Sequence, residues 1–163
     1  MISVVIRANH GIEALAATLR VLIPGVVDGI VGDAVVLAAR SDDGVAGLVD
    51  GVGATLVIDE ELSWAGGAQM ARREWVLCLE AGDVLGEGWM GALDRFVALS
   101  PPESGLGRLR RLGAWRARLR ALVAARQVQA GDLVRRDLLL RSAEAPGRAA
   151  RIPAAIVRAP AAP

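Results

Sequence analysis

The chain has no lysine and no tyrosine, and only one cysteine, one histidine and one phenylalanine among its 163 residues. Without lysine there is no Walker-type glycine loop, which needs that side chain beside the phosphates, and no G-x-S-x-G elbow occurs. A single cysteine, Cys78, excludes an internal disulfide. It sits mid-strand between leucines and reads as a small core residue. One cysteine with one histidine, His10, leaves too few soft ligands for a zinc enzyme. No run of about 18 apolar residues is present, because Asp28 and Asp33 interrupt the best candidate, so no transmembrane helix is expected. The opening run Ile2 to Ile6 is too short for the core of a signal peptide. These absences lead to the expectation of a cytoplasmic protein, soluble or held peripherally on the inner face of the membrane.

What is present is globular in kind: 53% of the residues are apolar and 19 are glycine. A chain of this length is expected to bury one sizeable core. The 19 basic residues are all arginine, most simply a coding bias. The net charge of +1 conceals a split: residues 1–103 carry 15 acidic and 6 basic side chains, residues 104–163 carry 3 acidic and 13 basic. Such asymmetry suggests either an anionic partner for the basic part or mutual neutralisation of the two parts.

In order along the chain, Ile2 to Ile6 reads as a buried strand, broken by Asn9-His10-Gly11. A helix carrying Ile12, Leu15, Leu19 and Leu22 is expected to stop at Pro24-Gly25. Ala34 to Ala39 and Thr55 to Ile58 read as strands, with a turn at Ser41-Asp42-Asp43-Gly44 whose side chains can cap the intervening helix. Residues 66–73 form a short helix. Trp75 to Leu79 is a fourth buried strand, ending in Glu80 and Asp83. Trp89, Leu93, Phe96 and Val97 share a helical face, closed by Pro101-Pro102. Strands alternating with helices predict an α/β fold, three-layered and with a mainly parallel sheet. Beyond it, residues 105–126 suggest a basic amphipathic helix, packed on the sheet or laid on an anionic membrane surface. Gln129 to Arg135 reads as an edge strand and Arg136 to Arg141 as a last helical turn. The Ala/Pro/Arg-rich residues 142–163 are expected to dock loosely, with only Ala155 to Val157 strand-like. The domain proper would span residues 1–141.

This order of elements resembles the nucleotide-sugar domain of family 2 glycosyltransferases, the GT-A fold, in a short bacterial form. Ile2 to Ile6 with Asn9 is similar to that family's opening strand and loop, and Ser41-Asp42-Asp43-Gly44 to its Ser-Thr-Asp-Gly turn. Gly67-Ala68-Gln69 falls where the family often has a Gly-Ala-Gln segment. Trp75 to Asp83, followed by Gly88-Trp89, resembles its metal-site strand and the helix after it. Gly131 to Arg136 resembles a later strand. The likeness covers roughly residues 2–141.

The resemblance implies transfer of a sugar from a nucleotide-diphosphate sugar to an envelope or lipid-linked acceptor, with no specific nucleic acid binding. It implies donor contacts at Asn9, Asp43 and Gln69, and a divalent metal, Mg²⁺ or Mn²⁺, held by Glu80 and Asp83. The chain departs from the pattern in three places. Ala38-Ala39 stand where a carboxylate normally receives the base. The Asp-x-Asp triplet is Glu80-Ala81-Gly82, with Asp83 one place late. After Asp137 only Glu144 could serve as general base, and it has no flanking motif. An inactive GT-A-like binding or scaffold module and a peripheral membrane-binding protein are therefore alternatives. Arg7, His10 and Trp64 are further candidates for phosphate or ring contacts, each with an ordinary structural role as the other reading.

Overall fold

A computed structural model describes residues 1–101, 105–112, 127–141 and 149–159 of the chain. The described elements run β1 (Ile2–Arg7), α1 (Ile12–Val27), β2 (Val31–Ala38), α2 (Asp43–Gly51), β3 (Thr55–Ile58), α3 (Trp64–Met70), β4 (Trp75–Glu80), β5 (Asp83–Leu85), α4 (Trp89–Leu99), β6 (Leu106–Arg111), β7 (Asp132–Arg135), α5 (Arg136–Arg141) and β8 (Ala150–Arg158).

The strands form one eight-stranded sheet in the order β3-β2-β1-β4-β7-β6-β8-β5. The half built from β3, β2, β1 and β4 is parallel throughout. In the other half β7 runs antiparallel to both β4 and β6, β8 is parallel to β6, and β5 is antiparallel to β8.

Helices cover both faces, which explains why the central strands are continuous apolar runs rather than alternating ones. Trp75, Leu77 and Leu79 of β4 pack with Leu15, Leu19 and Leu22 of α1 and with Trp89 and Leu93 of α4. Val76 and Cys78 face the opposite way, against Trp64 and Ala68 of α3 and Leu139 of α5. The three-layer α/β expectation is thus met, and Cys78 is a wholly buried core residue. Burial, with the nearby Asp132 charge adding to it, pushes the Cys78 thiol well above its ordinary range, so it is an inert packing group.

Four features differ from the sequence reading. Helix α1 does not stop at Pro24 but continues to Val27. Proline withholds only the N–H that would reach the carbonyl of Arg20, on the exposed side. Gly25, the next residue, packs so closely that a Cβ there would fall 2.4 Å from Trp89 Cη2. Tertiary contact carries the helix past its breaker.

Second, residues 106–111 form a strand, not the start of a helix. The Leu109–Leu112 spacing that suggested a helix is outweighed by β6 pairing on both of its sides, and by Gly107, whose missing Cβ leaves room for Phe96. The remainder of that expected helix, residues 113–126, lies outside the described residues.

Third, β7 is not an edge strand; it lies between β4 and β6. Fourth, Ala150–Arg158, expected to dock loosely, is a nine-residue strand inside the sheet, with Ile152, Ala154 and Ile156 buried at alternate positions. Pro153 hides this strand from a sequence reading, but it falls where the β6–β8 register slips, so no ladder hydrogen bond is demanded of it. Among the described residues no helix is long and apolar enough to cross a membrane.

If β8 is part of the core, Ile152→Ala should cost about 2–5 kcal/mol of unfolding free energy in urea titration. A loosely docked tail would instead give a change within about 0.5 kcal/mol.

Candidate functional site

The parallel strands end at one edge of the sheet, where the chain order reverses between β1 and β4, the position at which open α/β sheets form ligand crevices. The carboxyl ends present Arg7 from β1, Ala38 from β2 and Glu80 from β4. A cleft of about 470 Å³ opens beside them, lined by Ala8, Gly11, Ala38, Ser41, Asp42 and Val45 among others. Asp42 caps α2 by accepting the Val45 N–H at 2.9 Å. Asp43, beside it, is exposed in the first turn of that helix. A larger apolar groove along α4, of about 510 Å³ and lined by Ala92, Phe96, Leu99, Ala150 and Pro153, has no comparable set of polar groups.

Between β4 and β5 the chain turns at Gly82, whose φ of +93° suits glycine. The tight turn folds the Asp83 carboxylate back to accept the Glu80 N–H at 2.9 Å. Asp83 is fully buried. Arg111 of β6 grips it with two parallel bonds, Nη1 to Oδ1 at 2.6 Å and Nη2 to Oδ2 at 2.8 Å. Burial works against the Arg111 charge, but the hydrogen bonds and field of Asp83 outweigh it and raise its pKa above the ordinary value. Arg158, paired across the strands with Asp83 in the β5–β8 ladder, contacts Asp83 at 3.3 Å and Glu80 at 3.4 Å through the same nitrogen. Its other terminal nitrogen donates to His10 Nε2 at 2.7 Å, and His10 Nδ1 faces Asn9 Oδ1. Because a guanidinium can only donate, Nε2 is the acceptor of this contact and Nδ1 is the nitrogen turned to the Asn9 amide oxygen.

Of the residues singled out from sequence, Glu80, Asp83, His10 and Asn9 are therefore joined in one network, by way of Arg158. Asp43 follows the cleft-lining Asp42 in the chain and is exposed. Gln69 lies elsewhere: it is exposed at the end of α3, where its carbonyl accepts from Arg136 at 3.2 Å, and Arg136 in turn donates its backbone N–H to Glu74 at the amino end of β4. Trp64 is buried and carries the Arg7 guanidinium over its ring at 3.7 Å. Burial lowers the pKa of Arg7, opposed by the charges of Cys78, Glu80 and Asp59. The sequence reading missed Arg111 and Arg158. A signal existed in the basic excess of residues 104–163, but β6 was read as helix and β8 as tail.

The carboxylates do not fit a divalent-metal site. Both oxygens of Asp83 are already engaged by arginine and by a backbone N–H, and among the described residues no three His, Cys, Asp or Glu side chains converge on one point. Part of the charge asymmetry is met by pairing between the two segments. Arg111 and Arg158 neutralise Asp83 and Glu80, and Arg135 pairs with Glu74. A second buried acid, Asp132, is clasped by Arg108 at 2.6 and 2.8 Å; burial raises its pKa while Arg108 pulls it back.

Asp83→Asn should lower unfolding stability by about 3 kcal/mol, because it strands the half-buried Arg111. Glu80→Gln should change it by less than about 1 kcal/mol. Equal effects in chemical denaturation would contradict this division of roles.

No protein-family model matches the chain, and no curated protein matches it by sequence. Solved structures do match it. Glucosyl-3-phosphoglycerate synthase from Mycobacterium tuberculosis, in complex with Mn²⁺, UDP and glucosyl-3-phosphoglycerate, superposes with a TM-score of 0.61 at 18% identity, over 84% of this chain and 57% of that one. A mycobacterial protein gives 0.67 at 18% identity over 100% of this chain and 68% of that one. Residues 1–349 of Staphylococcus aureus TarS, with UDP, give 0.57 at 14% identity over 69% and 36%. The chain thus spans little more than half the length of the synthase it matches. At these identities the likeness concerns the fold alone, a GT-A-like α/β fold.

Proposed function

We propose that the chain is a glycosyltransferase-like domain that binds a nucleotide-diphosphate sugar at the carboxyl edge of its sheet. The observation that carries this is the cleft lined by Ala8, Gly11, Ala38 and Val45 at the ends of β1 and β2, where Gly11 follows the Arg158-bonded His10 in the chain, in a fold whose solved neighbours hold UDP or UDP-glucose. The nucleoside would enter the cleft, beside Ser41, Asp42 and Asp43, with the diphosphate toward Asn9, His10 and Arg158. Ala38 offers the base no side-chain acceptor, so its recognition would fall to backbone groups and to the Asp42-Asp43 turn. The sugar would go to an envelope or lipid-linked acceptor by displacement at the anomeric carbon, in the cytoplasm or at the inner membrane face.

A second reading is a binding module without transfer. It is favoured by one observation: Asp83, which by its place in the chain should serve the reaction, is committed to Arg111. The separating experiment is a thermal-shift panel of UDP, GDP and their sugars, with and without Mn²⁺, followed by an assay for nucleotide release. A bound nucleotide at 100 times its Kd should add about 2.7 kcal/mol of apparent stability. Stabilisation with steady release of UDP or GDP supports transfer; stabilisation without release supports the binding module. Absence of stabilisation by every nucleotide removes both.

A further inference from the structure

We infer that this protein holds a diphosphate with its own arginines in place of a divalent cation, Arg158 making the contact and Arg111 fixing the carboxylate behind it. The inference rests on the sugar-nucleotide reading above and specifies how its anionic part is bound.

A metal between two carboxylates and a diphosphate does two things: it cancels the carboxylate charge and it offers positive charge to the phosphates. Here both tasks are already assigned to side chains. Asp83 is fully buried and bonded bidentately to Arg111, and an Asp83 so engaged has no oxygen left facing outward for a cation. Arg158 stands in front of it, with 39% of its side chain open to solvent. One of its nitrogens spans Glu80 and Asp83, and the other reaches His10 on the β1–α1 loop. Its backbone is fixed by the β5–β8 ladder and by the Ala159 N–H bond to the Gly82 carbonyl at 2.7 Å. A guanidinium fixed in this way presents a planar fork of donors suited to phosphate oxygens. The Glu80 contact, at 3.4 Å and partly exposed, is the weak one, and a phosphate would compete for it. Glu80 is then a competitor for the cation rather than a ligand of a metal.

The two accounts predict opposite behaviour, measurable by calorimetric titration of the whole chain with UDP and with inorganic pyrophosphate at low salt. With arginine as the cation, affinity for both probes in EDTA should match that in Mn²⁺ within about twofold. Arg158→Gln should weaken both at least tenfold, while Glu80→Gln should leave them unchanged or tighten them several-fold. Arg158→Lys, which keeps the charge, should recover part of the loss and guards against a merely misfolded Gln variant. Binding that needs Mn²⁺, or that falls with Glu80→Gln and not with Arg158→Gln, overturns the inference. Pyrophosphate bound in EDTA and lost in Arg158→Gln, with no nucleotide bound under any condition, would uphold the arginine site and remove the sugar-nucleotide reading instead.

Discussion

The carboxylate of Asp83 is the constraint around which the second half of the fold is arranged. A fully buried charge of this kind is tolerated only when paired and hydrogen-bonded, since its isolated transfer from water would cost far more than a domain's whole stability margin. Its partners come from distant parts of the chain: the Glu80 N–H from the turn before it, Arg111 from β6, and Arg158 from β8. To bring them together, β6 and β8 must both join the sheet, and β8 must run against β5. The parallel half of the sheet needs no such device. Its strands are apolar on both faces and cohere by packing against α1, α3 and α4.

The same pair sets the character of the candidate site. Where a GT-A-like fold leads one to expect an acidic edge awaiting a cation, this chain presents an edge already balanced by guanidinium. Arg7 adds to it, laid on Trp64 at the end of β1. The electrostatics of the edge are therefore fixed by folding rather than by what binds. The cleft beside α2 retains the ordinary furniture of a helix start, with Asp42 as its cap.

The parallel half was legible because its physics is local. The β-branched and aliphatic runs Ile2 to Ile6 and Trp75 to Leu79, punctuated by Asn9-His10-Gly11 and by Gly82, announce strands and turns without reference to anything distant. The carboxyl-edge position of Glu80 and Asp83 followed from the same runs. Of the antiparallel half only β7 was legible as a strand, because β6 and β8 are defined by their neighbours. Leu106–Arg111 has only three buried apolar or glycine positions to show, and Ala150–Arg158 contains a proline. Both satisfy helical or disordered patterns equally well until pairing with β7 and with each other decides the matter. Arg111 and Arg158 were missed for that reason, since a site residue cannot be placed before its strand is.

The span between Asp83 and Arg158 has a consequence for the order in which the molecule can be completed. These partners stand 75 positions apart in sequence. During synthesis at roughly 5–20 residues per second, several seconds pass after Asp83 emerges before its second arginine exists. Throughout that interval β1 to β4 can already associate, while β5 has no strand to pair with and its carboxylate no reason to leave water. The closing strand, β8, therefore acts as a latch on a half-built sheet, because it follows the other strands in the chain and brings Arg158 to Asp83.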